Sequence, residues 1–244
     1  MLSFFGCKDS QAVIMVIHCI FQFLCKRKMG KGKLQKFAEY NAMEHAFDAK
    51  DTHLKGKWSK EVFNNQNPIV LELACGRGEY SVGLAAMHSD KNFIGVDIKG
   101  ARLWKGATQA LERGFHNVAF LRIQIEQIES FFEENEVDEI WIIFPDPQPQ
   151  ESRIKKRLTS PRFLDIYRKI AKHNTVIHLK TDSPLLYDYT KEVIAEQGLT
   201  VLDDISNINK TQTIPDYLQI QTYYEKLWLK EKRVIRFLKF ELNK

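Results

Sequence analysis

Cysteine is scarce in this chain of 244 residues: Cys7, Cys19, Cys25 and Cys75 are the four, and no two stand in a C-x-x-C pair. That pattern argues against a disulfide framework or a zinc site and suits a reducing compartment, so a cytoplasmic protein without a metal is expected. Long apolar runs are missing as well. The longest, AVIMVIHCIFQFLC (12–25), is interrupted by His18 and Gln22 and falls short of the roughly 20 apolar residues of a membrane span. A signal peptide carries its positive charge ahead of the apolar run, whereas KRK (26–28) follows it here and no A-x-A cleavage site is visible. Residues 1–28 are therefore expected to stand outside the fold, with Met29 as the start of the working chain and no membrane partner. A signal anchor with a basic cytoplasmic flank is the alternative. Internal repeats and low-complexity segments are absent too.

What remains is an ordinary globular composition, 44% hydrophobic and 27% charged, enough to build a core without disulfides or metal. The net charge of +5 is a modest basic excess and by itself only a weak pointer to a polyanionic partner. Residues 29–66 are basic and then mixed, with no clear period, and end in the turn-like NNQNP (64–68). From there apolar runs alternate with amphipathic stretches. IVLELAC (69–75), NFIGVDI (92–98), NVAFLRI (117–123), EIWIIF (139–144), TVIHLK (175–180), LTVLDD (199–204) and VIRFLKF (234–240) read as strands. EYSVGLAAMHS (79–89), ARLWKGATQALERG (101–114) and SPRFLDIYRKIAKH (160–173) have helical spacing. Ser160-Pro161 and Ser183-Pro184 mark helix starts, and Gly114 and Gly198 mark helix stops. Alternating strands and helices predict an α/β domain over 67–244. The sheet should be Rossmann-like, seven-stranded and mostly parallel with helices on both faces, its last two strands paired as a hairpin; this is the class I methyltransferase pattern.

VLELACGRGEY (70–80) is a strand, a glycine turn and a helix start, with Gly76 and Gly78 free to bring backbone close to a ligand. A dinucleotide site is the runner-up, but the third glycine of G-x-G-x-x-G is replaced by Ser81. Glu72, just before the turn, would repel a pyrophosphate yet suits a cationic ligand such as S-adenosylmethionine. Asp97 ends the next strand, where a carboxylate can accept ribose hydroxyls. FPDPQPQESRIKKR (144–157) packs three prolines around Asp146 at the carboxyl edge of another strand. Prolines fix φ and restrict their predecessors, so this carboxylate is prepositioned. Arg153, Lys155, Lys156 and Arg157 follow, a run that elsewhere is most often a solvated face but beside Asp146 suits phosphates.

Taken in order, GKGKLQKFAEY (30–40), ELACGRGEY (72–80), GVDIKGARLW (95–104), FPDPQP (144–149), HLKTDSPLLYDYT (178–190) and TYYE (222–225) closely resemble the bacterial tRNA (guanine-N7-)-methyltransferase family. The resemblance spans about residues 30–240. It implies S-adenosyl-L-methionine as methyl donor, tRNA as partner and N7 of guanosine 46 in the variable loop as acceptor. Family members commonly begin near MGKGKL, which fits Met29. Four acidic positions surround the donor in the family; Glu72, Asp97 and Asp146 match three, and Gln124 stands at the fourth, where an amide oxygen can still meet the adenine amino group. The family's F-P-D-P-W-P-K has Gln148 for tryptophan and Gln150 for lysine. Gln150, Asp182, Thr222, Tyr223, Tyr224 and Glu225 fall at substrate positions, with Asp146 as the catalytic carboxylate.

Guanine N7 has a free lone pair and no proton, so alignment and charge stabilisation, not a general base, are required. The base must leave its tertiary contacts in the tRNA to reach the pocket, with the basic run and lysines 31, 33 and 36 holding phosphates. The amides at 124, 148 and 150 keep two other readings open: a non-catalytic RNA-binding homologue, or a methyltransferase acting on another RNA or a small molecule. Intact Glu72, Gly76, Gly78, Asp97 and Asp146 count against the first. A monomer or homodimer is expected.

Overall fold

Strands Ile69–Leu73 (β2) and Asn92–Val96 (β3) are buried at every position, as continuous apolar runs covered on both faces of a parallel sheet must be. They lie at the centre of the computed structural model, which describes residues 32–243. Residues 1–31, including the apolar run 12–25 and lysine 31, fall outside the described part. The remaining strands are Ala46–Asp48 (β1), Val118–Arg122 (β4), Val137–Ile143 (β5), Ala171–Thr181 (β6), Thr200–Ile205 (β7) and Arg236–Leu242 (β8), in the order β1-β4-β3-β2-β5-β6-β8-β7. All pairings from β1 to β6 are parallel, and β8 runs antiparallel to β6 and β7. Helices Glu79–Met87 (α2), Gly100–Glu112 (α3), Pro161–Arg168 (α4) and Pro184–Glu196 (α5) make the crossovers, after an initial Lys33–Tyr40 (α1).

The seven expected strands are present, and an eighth, β1, was not expected. It has three residues and no apolar run to announce it. Tyr40 holds it in place from a fully buried position, its hydroxyl 3.0 Å from the Phe47 carbonyl and 2.8 Å from that of Phe120. β7 and β8 do pair antiparallel, but residues 206–235, with helices Asp216–Gln219 (α6) and Tyr223–Lys230 (α7), separate them, so they are not a hairpin. The helix expected over 160–173 stops at Arg168. The Glu136 and Val137 N–H groups both bond the Ile170 carbonyl, drawing Ala171 into β6, and Asn174 turns left-handed (φ 61°) to continue it. Gly114 and Gly198 end α3 and α5 with φ of 66° and 63°, as C-terminal stops do. The Ser183 side chain accepts the Leu186 N–H, whereas Ser160 Oγ donates to the Lys155 carbonyl.

Leu34 onward form one compact unit, so residues 34–66 of the basic segment are built into the domain. Its anchor is Trp58, fully buried, stacked on Phe132 at 5.4 Å and donating its indole N–H to the Phe131 carbonyl at 2.8 Å. Among the described residues no helix is long and apolar enough to cross a membrane. Trp58→Ala is expected to cost about 3–5 kcal/mol of folding stability, the range for deleting a buried aromatic. A denaturant titration showing less than about 1 kcal/mol would detach this segment from the core.

Candidate active site

The order of the sheet reverses at β2, with β3 on one side and β5 on the other, and that crevice at the carboxyl ends is where open α/β sheets take ligands. The turn leaving β2 has Ala74, Gly76 and Gly78 at φ of 57°, 58° and 67°. A Cβ on Gly76 would meet nothing within 4 Å, so space lies open above it; one on Gly78 would come within 2.4 Å of the Phe120 ring. Glu72, 4% exposed, accepts the Ser81 N–H at 2.6 Å and the Ser81 hydroxyl. Burial pushes its carboxyl up to about 8; the Ser81 bonds oppose this, and neighbouring Glu79 and Asp97 add to it. Asp97, also buried, accepts the Gly76 N–H at 3.0 Å and the Lys99 N–H at 2.8 Å. The Asp97 carboxylate beside the glycine turn repels phosphate and favours a cation.

Asp146 leaves the end of β5 exposed, with Phe144 and Gln148 left-handed on either side (φ 47° and 44°). For non-glycine residues that backbone is strained and persists only where its surroundings enforce it. Asp146 Oδ1 accepts the Gln148 N–H at 3.0 Å, and the Phe144 N–H is held by the Lys180 carbonyl at 2.8 Å. The Gln148 carbonyl accepts two bonds from Arg157, at 3.3 and 3.2 Å. Arg157 therefore differs from the expected RNA contact. It is buried, with its guanidinium 4.4 Å from the Tyr189 ring, and clamps the proline loop from within. Arg153, Lys155 and Lys156 are exposed beside it.

A cavity of about 550 Å³ opens between this loop and the end of β6, and Phe144, Asp146, Asp182, Tyr224, Trp228 and Arg233 line it. The structure thus brings Asp146, Asp182 and Tyr224 together. Thr222 and Glu225 lie elsewhere: they form a capping box at the start of α7, the Thr222 side chain accepting the Glu225 N–H at 3.1 Å. Glu225 points inward, 4% exposed, onto the ammonium of Lys180 at 2.6 Å. Tyr223 is exposed, its ring 4.2 Å from the Arg77 guanidinium and its N–H 3.4 Å from Glu79, so the start of α7 touches the glycine turn. Gln124 and Gln150 are exposed and head short 3-10 turns, outside the cavity lining. Lys36 rests on the Trp104 ring at 4.8 Å.

Lys180 was not anticipated, nor were Trp228 and Arg233. The capping box could have been read from T-x-x-E, which is its sequence signature. A smaller cavity at the opposite end of the sheet contains Asp138, Glu139 and His178. Its acids are committed: Glu139 to His178, Lys91 and Trp141, and Asp138 to Lys172 and the Ile69 N–H. Burial would raise the Glu139 carboxyl, but the His178 and Lys91 contacts outweigh it and bring it down to about 2.

The Glu72 shift predicts a pH dependence. With a folded value near 8 against an ordinary 4.5, the native state keeps a proton that the unfolded chain has lost, so stability falls as pH rises through that window. Between pH 5 and 9 the wild type is expected to lose on the order of 3–5 kcal/mol relative to Glu72→Gln, which removes this titration. Parallel stability–pH curves for the two proteins would contradict the assignment.

A family model described as "Putative methyltransferase" matches residues 66–238. Relatives named tRNA (guanine-N(7)-)-methyltransferase include one from Bacteroides fragilis, 52% identical over 88% of this chain and 87% of that protein. Another, from Christiangramia forsetii, is 46% identical over 87% of this chain and 99% of the relative. Among solved structures, the 16S rRNA methyltransferase KamB superposes with a TM-score of 0.59 at 13% identity, covering 76% of this chain and 92% of that one. A 16S rRNA (adenine(1408)-N(1))-methyltransferase from Catenulisporales acidiphilia gives 0.54 at 15%, over 76% and 92%. At such identities these two speak for a class I methyltransferase fold alone. Family match and close relatives together place this chain in the tRNA (guanine-N7-)-methyltransferase family.

Proposed function

We propose that this chain methylates N7 of guanosine 46 in the variable loop of tRNA, with S-adenosyl-L-methionine as donor. The observation that carries the reading is Asp146, exposed on a strained, proline-stiffened and Arg157-clamped loop, facing a cavity it shares with Asp182 and three aromatic rings.

The residues at the glycine turn suit the donor. S-adenosyl-L-methionine supplies an electrophilic methyl on a sulfonium and carries an ammonium but no phosphate. Asp97 gives a cation-favouring wall, Glu72 can give up its proton beside a bound cation, and the open space above Gly76 admits a ligand against backbone. Asp97 would hold the ribose hydroxyls, and Gln124 the adenine amino group through its amide oxygen. On the acceptor side, Phe144, Tyr224 and Trp228 offer faces for a purine, and extruded bases are commonly held between such rings. Asp146 accepts hydrogen bonds from the guanine N1–H and N2 amino group, fixing N7 in line. Its negative charge also favours the purine as positive charge develops there. Arg153, Lys155 and Lys156, with the basic segment before the domain, would take backbone phosphates.

The test is to incubate unmodified tRNA with the protein and labelled donor and to digest it for nucleoside mass spectrometry. 7-Methylguanosine that maps to position 46 is expected; methyl on another base or none on tRNA would overturn the reading. Asp146→Asn should then lower the single-turnover rate by roughly a hundredfold at saturating tRNA and donor, with donor affinity largely kept. A near wild-type rate would reduce Asp146 to a turn former.

A further inference from the structure

Asp182 faces the acceptor cavity, yet its carboxylate is already engaged. Arg233 Nη1 donates to Asp182 Oδ2 at 3.0 Å, while Arg233 Nε donates to Glu231 at 2.8 Å. Both groups line the cavity, and the guanidinium stands 5.5 Å from the Trp228 ring. A guanidinium is a planar row of N–H donors. The guanine N2 amino group carries two N–H donors; with one directed at Asp146, the other is free for a second carboxylate. Asp182 accepts one N–H from Arg233, and one N–H of the base can take its place.

We propose that Arg233 is a placeholder for the base. In the free protein it occupies Asp182 in place of a guanine N2 amino hydrogen, and when the base enters it gives up Asp182 and turns to a phosphate of the same RNA. This inference rests on the acceptor reading of the cavity. Three features support it. The Arg233 backbone is fixed, its N–H on the Trp228 carbonyl at 3.0 Å and its carbonyl accepting Asn209 Nδ2 at 3.4 Å, so the side chain alone can exchange partners. That side chain is 47% exposed at the cavity mouth, where Asp182 is only 19% exposed. Lys230 and Lys232 stand exposed on the same stretch, so a released guanidinium enters a cationic surface to which a phosphate is drawn. A base that presents no N–H to Asp182 leaves Asp182 and Arg233 paired.

The consequence has opposite signs for a nucleoside and for tRNA. Free guanosine has no phosphate and experiences Arg233 only as a competitor, whereas tRNA gains the phosphate contact. Binding of guanosine by ligand-observed NMR, and of tRNA across a salt series, should be measured for the wild type, Arg233→Ala and Arg233→Lys. For Arg233→Ala, guanosine should bind several-fold tighter while tRNA binds roughly tenfold weaker. The log–log salt slope for tRNA should become shallower by about 0.7–0.9. Arg233→Lys, which keeps the charge, should restore most of that slope. Guanosine binding that is weaker, unchanged or undetectable in both wild type and Arg233→Ala, or a salt slope that does not move, overturns the exchange. If the wild type does not methylate guanine N7 in tRNA, the acceptor reading itself fails; if it does and this signature is missing, only the role of Arg233 fails.

Discussion

A single buried ammonium holds the two halves of the site together. Lys180, at the end of β6, has no exposed surface and bonds Glu225 at 2.6 Å, the Tyr80 hydroxyl at 2.9 Å, and the carbonyls of Leu218 and Ile220 at 3.0 and 3.3 Å. Four acceptors around one nitrogen describe a protonated lysine. Burial holds Lys180 below the ordinary lysine value and Glu225 above the ordinary carboxylate one, and their mutual attraction opposes both shifts. Removing two charges from water is expensive, and such a pair is retained at a net gain only when its remaining hydrogen bonds are satisfied. Here they are. The ammonium ties together α2, which begins at the glycine turn, and the connection 206–235 that closes over the sheet; its own backbone carbonyl fixes Phe144 at the start of the Asp146 loop.

From that anchor the electrostatic layout follows. The side of the crevice proposed for the donor holds shielded carboxyls, Glu72 buried and protonated beneath the turn and Asp97 pinned to Gly76 and Lys99. The side proposed for the acceptor carries exposed acid, Asp146, and paired acid, Asp182, among aromatic faces. Cations stand further out, as Arg153, Lys155 and Lys156 beside the loop and Lys230 and Lys232 after α7. On the proposed reading a cationic donor would meet Asp97 and a polyanionic acceptor would meet these outer cations, each approaching charge of the opposite sign. Arg157 shows how finely the two uses of a cation are divided. It is the last member of a basic run whose exposed members face solvent, yet it is spent inside, on the carbonyl of a strained Gln148.

Much of this was legible in the sequence. Apolar runs gave away β2 to β6, because parallel strands covered on both faces are apolar at most positions. The glycine turn with Glu72, and the prolines around Asp146, announced backbone geometry that few other residues can adopt. What stayed hidden depended on partners distant in the chain. Arg157 is buried because Tyr189 and the Gln148 carbonyl meet it, and nothing in IKKR distinguishes it from its neighbours. Lys180 reads as one polar residue inside an apolar strand until Tyr80 and Glu225 are brought to it. Arg233 sits in a polar stretch after a helix, and only the fold places it against Asp182. β1 is too short to carry a period at all, and β6 begins earlier than its apolar run because backbone bonds to Ile170 recruit polar residues into it.

Lys180 organises the site, and hydrogen exchange of Lys180→Met followed by mass spectrometry tests this most directly. Loss of the ammonium removes the partner of Glu225 and the donor to Leu218 and Ile220. Exchange is predicted to accelerate over residues 215–230 and at the glycine turn, while β2, β3 and β5 keep wild-type protection. Unchanged exchange over 215–230, or a loss of protection spread evenly through the central strands, would contradict the claim that this buried cation holds the site together.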